Sequence, residues 1–246
     1  GSPKLLESLP LVYRKLFSFQ PVSDPTLLTD REDIFDWLNR RLQAWQDGTG
    51  DPAILLGRAG SGHTSLLNVA GQTLFQDHPS LRLDLDFRPG GEGALVGWIW
   101  TALELGGHSP RTLNEMSDRL SSGQSGTPDR VILMEHLEHL VMRVPNGTGL
   151  LENFLAFQAR TSARVFWLST LPETTWKYLT RTEPAVATMV SAQVLPPPSR
   201  DFLERLIVTR HQRSGLALEF LEPAGLNPLL QRRLRKARGE KGRQAI

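Results

Sequence analysis

The chain has 246 residues, 39% of them hydrophobic, with no cysteine and a formal net charge of +2. This composition allows one sizeable domain, excludes disulfides and thiolate metal sites, and fits a reducing compartment. No apolar stretch approaches the ~18 residues of a membrane span, so we predict no membrane contact and a cytoplasmic location.

The two ends of the chain differ from its middle. Residues 1–28 are predicted to form an N-terminal arm, residues 29–218 a folded core, and residues 219–246 a basic segment. The first three residues, Gly1-Ser2-Pro3, are typical of a cloning remnant, so we expect the chain to be part of a longer protein. From Gln231 onward the chain carries seven Lys or Arg residues against one acidic residue, a pattern that can contact nucleic acid.

Helices and strands are predicted to alternate along the core. Apolar residues spaced by three and four indicate helices, whereas short apolar runs and two-residue alternation indicate strands. The predicted helices cover residues 30–45, 64–75, 94–105, 113–120 and 150–161, and two more begin at residues 176 and 200. The predicted strands cover residues 53–56, 81–87, 130–134, 165–170 and 190–195. This alternation predicts an α/β three-layer sandwich around a mostly parallel five-stranded sheet.

A glycine-rich loop follows the first predicted strand. Gly57, Gly62 and Thr64 match the spacing of a phosphate-binding loop, which is Gly, four residues, Gly, Lys, then Ser or Thr. Glycines let backbone amides approach an anion, and the helix that follows directs its positive end to the same place. The predicted binding residues are Gly57, Gly60, Ser61, Gly62, His63, Thr64 and Ser65.

The lysine position of this loop holds His63. A lysine would contact the outer phosphates and stabilise the charge that develops during phosphoryl transfer. An imidazole with an ordinary pKa of ~6.5 is mostly uncharged at neutral pH and does neither well. The loop is therefore predicted to hold phosphate weakly and not to support fast hydrolysis. The alternative is a glycine-rich turn that binds no ligand.

The order of these segments resembles the AAA+ and STAND groups of P-loop ATPases between about residues 28 and 218. Five stretches carry the resemblance: the Thr29-Asp30-Arg31-Glu32 box, the Walker A loop at residues 57–64, a Walker B strand ending in Glu135-His136, Ser169-Thr170 at a sensor position, and Val194-Leu195-Pro196-Pro197 at the exit from the last core strand. The resemblance implies ATP or ADP with Mg²⁺, the cation being held by Thr64 and Glu135. It also implies a helical lid, which is either missing from this chain or represented in truncated form by residues 219–246.

The chain departs from this family pattern at its charged positions. A Walker B motif supplies one acid for Mg²⁺ and a second acid that activates water, and here Glu135 and His136 occupy these two positions. Together with His63, these substitutions predict that Glu135, His136 and Thr170 are vestigial. We therefore expect no bound cofactor, weak or absent ATPase activity, and a scaffold or regulatory role toward a protein partner or in a homo-oligomer.

Three alternatives remain open. The first is a slow nucleotide-dependent switch that uses Thr64 and Glu135 with Mg²⁺. The second is nucleic-acid binding through the basic C-terminal segment, although no aromatic residues interleave with its basic residues for base stacking. The third is a metal site on one helix face, formed by Glu135, His136, Glu138 and His139. Zinc would need a further protein ligand, which the sequence does not identify, so a polar helix start is the preferred interpretation.

Overall fold

The structure is a computed structural model that describes residues 10–18, 20–121, 129–142, 144 and 147–216. The proposed cloning remnant at residues 1–3 and the basic segment at residues 219–246 lie outside the described residues. Within the described part of the chain, no helix has the length and apolar character needed to cross a membrane.

A five-stranded parallel sheet forms the middle layer, as predicted. Its strands are β1 (Ala53–Gly57), β2 (Ser80–Asp84), β3 (Arg130–Glu135), β4 (Val165–Pro172) and β5 (Ser191–Val194). Their spatial order is β2-β3-β4-β1-β5, so β4 pairs with both β1 and β3. These three central strands are buried along almost their whole length, which explains their continuous apolar runs. The edge strands β2 and β5 are more exposed and more polar.

Eight α-helices surround the sheet in the described residues. They are α1 (Leu11–Leu16), α2 (Glu32–Gln46), α3 (His63–Gln72), α4 (Glu92–Ala102), α5 (Leu113–Ser121), α6 (Gly149–Thr161), α7 (Glu173–Thr182) and α8 (Arg200–Arg213). Short 3₁₀ segments occupy Pro25–Leu27, Leu137–Leu140 and Pro184–Thr188.

The sheet separates two hydrophobic cores. One face packs against α2 and α3 through residues such as Ile34, Leu66 and Phe166. The other face packs against α4, α5, α6 and α7, with Trp167 at its centre. Phe166 and Trp167 are adjacent in β4 and enter different cores because successive strand residues point to opposite faces. The three-layer α/β arrangement is therefore confirmed.

Several predicted boundaries differ from the observed ones, such as the C-terminal ends of α3 and α4, and three of the differences lie at the ends of β2, β3 and β4. Strand β2 ends at Asp84 rather than at residue 87, and helix α7 begins at Glu173, directly after β4. The polar helix start predicted after β3 is instead a 3₁₀ segment preceded by His136, whose φ of 66° and ψ of 42° are left-handed. A left-handed residue cannot continue a right-handed helix, which separates Glu135 from the segment that follows.

Candidate functional site

A cleft of about 560 Å³ lies at the carboxyl ends of β1, β3 and β4. Parallel α/β sheets bind their ligands at this edge. The cleft is lined by all ten residues that the sequence predicts for the site: Gly57, Gly60, Ser61, Gly62, His63, Thr64, Ser65, Glu135, His136 and Thr170. The structure thus brings the phosphate loop, the Walker B position and the sensor position to one place.

The phosphate loop is shaped by two glycines and one serine. Gly60 and Gly62 have φ angles of 82° and 91°, a left-handed conformation that glycine adopts without strain. The buried Ser61 hydroxyl accepts from the Arg58 amide at 2.9 Å and donates to the Arg58 carbonyl at 2.7 Å. Gly62 then begins α3, so the positive end of this helix faces the cleft.

Arg31 supports the loop from behind. This side chain is buried, and its Nη2 donates to the Ser61 carbonyl at 2.9 Å. Its guanidinium also lies 5.1 Å from the centre of the Phe202 ring, within cation–π range. Burial lowers the pKa of Arg31, while the charges of Asp33 and Asp30 act in the opposite direction. The box that precedes α2 in the sequence therefore fixes the loop through a side-chain contact.

His63 folds its imidazole back over the end of β1. A Cβ atom placed on Gly57 would lie 2.7 Å from His63 Cε1 and 2.8 Å from Nε2, so the ring fits here because residue 57 is glycine. The Nε2 atom is buried and finds no hydrogen-bond partner among the described residues.

The surroundings of His63 keep its imidazole neutral. Burial lowers the pKa of His63, and the charges of Arg31 and His136 add to this effect. The Leu56 backbone and the Glu138 carboxylate oppose the shift but do not reverse it. The lysine position of the loop thus carries no positive charge at neutral pH.

Glu135 is buried between two partners. Thr64 Oγ1 donates to its Oε2 at 3.3 Å, and Arg82 Nη2 donates to its Oε1 at 2.8 Å. Arg82 also donates to the side-chain oxygen of Asn68 on α3. Mg²⁺ prefers anionic oxygen ligands, yet the carboxylate beside Thr64 is already compensated by a guanidinium. The donor set at Thr64 and Glu135 therefore fits Mg²⁺ poorly.

His136 is held between two acids at the position of the water-activating residue. Its Nδ1 lies 3.1 Å from Glu138 Oε1, and its Nε2 lies 3.7 Å from Asp84 Oδ1. Its backbone amide donates to Thr170 Oγ1 at 3.4 Å, which connects the end of β3 to the sensor position. The imidazole therefore bridges the end of β2 and the 3₁₀ segment.

The acids around His136 decide its protonation. Partial burial lowers the pKa of His136, and the hydrogen bond and charge of Glu138 oppose this effect. Asp84 and Glu135 act in the same direction as Glu138, and the pKa is raised overall. A histidine stabilised in its protonated form is a poor base for activating water.

The N-terminal arm covers the first turn of α3. The Val22 amide donates to Ser65 Oγ at 3.1 Å, and the Val22 carbonyl accepts from Asn68 Nδ2 at 3.3 Å. Ser65, predicted as a phosphate-binding residue, is thus held by the arm. These contacts close one side of the cleft.

Helix α8 also lines the cleft and contacts the arm. Arg210 Nη1 donates to the Leu16 carbonyl at 2.9 Å, and the Tyr13 hydroxyl hydrogen-bonds His211 Nδ1 at 2.5 Å. Burial lowers the pKa of Arg210. Every residue of α8 nevertheless keeps part of its surface exposed.

Several residues that shape the site were not predicted from the sequence. Arg82 and Asp84 sit on the edge strand β2, where alternation marks them as ordinary exposed positions. The parallel register places Asp84 directly beside Glu135, and this long-range pairing has no local sequence signal. Phe202 and Arg210 line the cleft and belong to no motif, and Arg58 occupies a variable position of the phosphate loop.

Comparison with known proteins identifies the fold. No protein-family model and no curated protein matches this sequence. The Aeropyrum pernix ORC1 protein, solved in complex with DNA, is similar with a TM-score of 0.57 and 17% identity, over 88% of this chain and 56% of its own. Cdc6p from Pyrobaculum aerophilum has a TM-score of 0.58 and 16% identity, over 81% of this chain and 53% of its own.

A third similar structure is the Walker-type ATPase of Pyrococcus abyssi, with a TM-score of 0.51 and 14% identity. It matches over 83% of this chain and 64% of its own. The chain thus spans little more than half the length of the first two structures, and identities this low establish the fold alone. Together with the parallel sheet order and the glycine loop, they show that the chain has the fold of an AAA+-type P-loop ATPase domain.

Proposed function

We propose that this chain is a non-hydrolysing P-loop module that acts as a scaffold or a regulatory protein-interaction domain. The observation that carries the proposal is the pairing of Glu135 with Arg82 at 2.8 Å. A carboxylate compensated in this way is poorly suited to recruit Mg²⁺ beside Thr64.

The other two charged positions support the same conclusion. Phosphoryl transfer is catalysed mainly by positioning and by electrostatic stabilisation of the transferring group. His63 offers a buried neutral imidazole where a lysine would provide positive charge. His136 offers an imidazole engaged by Glu138 and Asp84 where an acid would activate water. Each of the three positions is unsuited to phosphoryl transfer for a separate physical reason. A conformational change at one of them would therefore not restore hydrolysis.

Helix α8 supports a role in protein contact. It displays Leu203, Ile207 and Val208 as exposed large hydrophobic side chains next to the cleft. Exposed apolar side chains that cluster on one element are typical of interaction surfaces. A module that has lost its chemistry but keeps its fold can serve assembly through such a surface.

The test of the proposal is phosphate release from ATP in the presence of Mg²⁺. We expect the same background rate from the wild-type chain and from Thr64→Ala, because neither supports transfer. The triple variant His63→Lys/Arg82→Gln/His136→Glu serves as the positive control, since it returns charge to two positions and removes the guanidinium that compensates Glu135. Turnover by the wild type that Thr64→Ala abolishes would refute the proposal.

The scaffold role has its own measurement. Light scattering of the purified chain, with and without ATP and Mg²⁺, reports whether it self-associates. We expect any assembly to be unaffected by nucleotide and to be weakened by Ile207→Asp on the exposed part of α8. The matched control is Val12→Asp, an exposed apolar residue of α1.

The alternative is a slow nucleotide-dependent switch. The 3.3 Å contact between Thr64 and Glu135 favours it, because these two side chains occupy the positions of the Mg²⁺ ligands in the sequence pattern. This function requires Arg82 to release Glu135 when nucleotide arrives. Calorimetric titration with ATP separates the two functions: tight binding that depends on Mg²⁺ supports the switch.

Nucleic-acid binding is the second alternative. The similar ORC1 protein was solved in complex with DNA. In the basic segment of this chain, the Lys and Arg residues are concentrated from residue 231 onward. Binding through this segment would weaken steeply with salt and disappear on deletion of residues 231–246. Retained binding after the deletion would exclude this segment as the contact.

A further inference from the structure

Three side chains with metal-ligating atoms meet at the ends of β2 and β3. One ligand atom from each of Asp84, Glu135 and His136 lies within 4.8 Å of the other two. The parallel register brings the first two together, since Asp84 is the direct partner of Glu135. The sequence alone did not identify this further ligand, because Asp84 lies 51 residues before Glu135 along the chain.

We propose that Asp84, Glu135 and His136 bind a divalent transition cation of the Zn²⁺, Mn²⁺ or Co²⁺ class. The site shares Glu135 with the Mg²⁺ position at Thr64, takes its other two ligands from Asp84 and His136, and does not depend on nucleotide. It therefore stands whether or not the proposed scaffold function is correct.

The donor set selects this class of cation. Mg²⁺ and Ca²⁺ are bound by oxygen ligands, whereas a set of one imidazole nitrogen and two carboxylate oxygens suits borderline transition cations. The Mg²⁺ position has a hydroxyl and a compensated carboxylate, and it lacks this nitrogen donor. The chemistry of the two positions is therefore different, although both use Glu135.

The arrangement around His136 is that of a supported metal ligand. A metal-bound histidine almost always donates its other ring N–H to a carboxylate or carbonyl, which fixes the tautomer and the ring orientation. Here Glu138 lies 3.1 Å from Nδ1, while Nε2 faces Asp84 at 3.7 Å. Glu138 thus takes the supporting position and leaves Nε2 free to bind the cation.

The site can tighten around a cation without disturbing the core. Ligand atoms on one cation with bonds of ~2.0–2.2 Å lie closer together than these three atoms do, so the ligands must move slightly. The Asp84 and His136 side chains are 57% and 47% exposed and can change rotamer, whereas the Glu135 side chain is only 4% exposed. One ligand is therefore fixed, and two can adjust to it.

The local charge also favours a cation. Asp84, Glu135 and Glu138 surround His136, and Arg82 is the cationic partner of Glu135. Because Arg82 compensates Glu135, the negative charge that distinguishes this site from the Mg²⁺ position is that of Asp84 and Glu138. Glu135 and His136 also line the cleft, which leaves the remaining coordination positions open to water or to an anion.

The test is titration of the full chain, free of any polyhistidine tag, with Co²⁺ alone at neutral pH. Ligand-field absorption reports coordination directly, and we expect one equivalent to bind and to be displaced by Zn²⁺ but not by excess Mg²⁺. His136→Asn and Asp84→Asn should each remove the absorption. Asn at 136 tolerates the left-handed backbone, so this variant should fold. Glu138→Gln should weaken binding about tenfold, as expected for a supporting residue.

Matched controls test whether the cation binds at these three residues rather than elsewhere on the chain. Asp86→Asn and His78→Gln change a nearby acid and an unrelated histidine, and both should bind Co²⁺ as the wild type does. His139→Gln should also leave Co²⁺ binding unchanged, although the His139 ring stacks on the His136 ring with their centres 5.6 Å apart. Absence of Co²⁺ binding in the wild type would overturn the proposal. So would binding that survives both His136→Asn and Asp84→Asn, or binding that His139→Gln removes.

Discussion

The phosphate loop and the end of β3 face each other across one cleft but differ in what determines their shape. The loop keeps its backbone form because Gly60 and Gly62 adopt left-handed angles and Ser61 closes the turn. At the end of β3, the shape depends on side chains from other elements, namely Arg82 and Asp84 of β2 and Thr170 of β4.

Under the proposed function, this difference separates the features of a phosphate site that folding also requires from those that only the chemistry requires. Glycine spacing and a strand–loop–helix turn are also needed for folding, so they persist when the charged residues change. The charged positions carry no such second requirement. At the end of β3, acids, an arginine and histidines form new pairs with one another, and we propose that these pairs support a different cation.

The largest expected effect is a loss of stability that disturbs both regions, caused by truncating a core residue in the strand between them. Trp167 lies in β4, the strand between β1 and β3; it is fully buried and contacts the Phe154 and Phe157 rings. Trp167→Ala should lower the free energy of unfolding by about 3–5 kcal/mol, as large core truncations do. Urea denaturation measures this loss. Tyr178→Ala, at a 56% exposed position, is the control and should change stability little.

A smaller effect should be confined to the end of β3. Arg82→Gln removes the guanidinium that compensates the buried Glu135 carboxylate. Because the Arg82 side chain is 34% exposed, we expect a loss of about 1–3 kcal/mol, between typical exposed and buried ion pairs. Arg200→Gln, which breaks the exposed pair with Glu204, is the control and should cost far less. Equal losses in the two variants would contradict the role of burial.

Two glycine substitutions, which should change stability in opposite directions, test the conformation of the phosphate loop. Gly62 has a φ of 91°, and a Cβ there meets no atom within 4 Å, so Gly62→Ala is opposed by backbone conformation alone. We expect a loss of about 1–2 kcal/mol. Gly97 lies inside α4 with equally open surroundings, and Gly97→Ala should stabilise by about 0.5–1 kcal/mol. Thermal unfolding measures both, and a stabilising Gly62→Ala would contradict the loop conformation.

The smallest effect is a pH dependence at His63. Burial lowers its pKa in the folded chain, so the unfolded chain binds the proton more readily. The wild type should therefore be fully stable, relative to His63→Gln, above the ordinary histidine pKa of ~6.5, and should lose this relative stability as the pH falls. Urea denaturation of both proteins from neutral to mildly acidic pH measures the difference. A difference that does not change with pH would show that the imidazole is not buried in its neutral form.

The sequence predicted the features that depend on local patterns. The apolar runs of β1, β3 and β4 and the seven loop residues of the cleft follow from spacing within one element or one turn, whereas Glu135, His136 and Thr170 were predicted from the resemblance to P-loop ATPases. The residues that contact them could not be predicted from such local patterns. Arg82, Asp84 and Val22 reach the site through strand register or through the path of the arm, and each lies far along the chain from the residue it contacts. The left-handed backbone conformation of His136 also escaped prediction, because this conformation is uncommon for residues other than glycine.

The contact between Tyr13 and His211 joins positions 198 residues apart and brings the arm and α8 together beside the cleft. We expect such a contact to form late in folding, because closing a loop of this length costs more conformational entropy than forming a local contact. Because every residue of α8 is partly exposed, this pair of elements should also be the first to detach in the native state. Entry of any ligand to the cleft would then follow the rate of this local opening, and amide hydrogen exchange in α8 would report that rate.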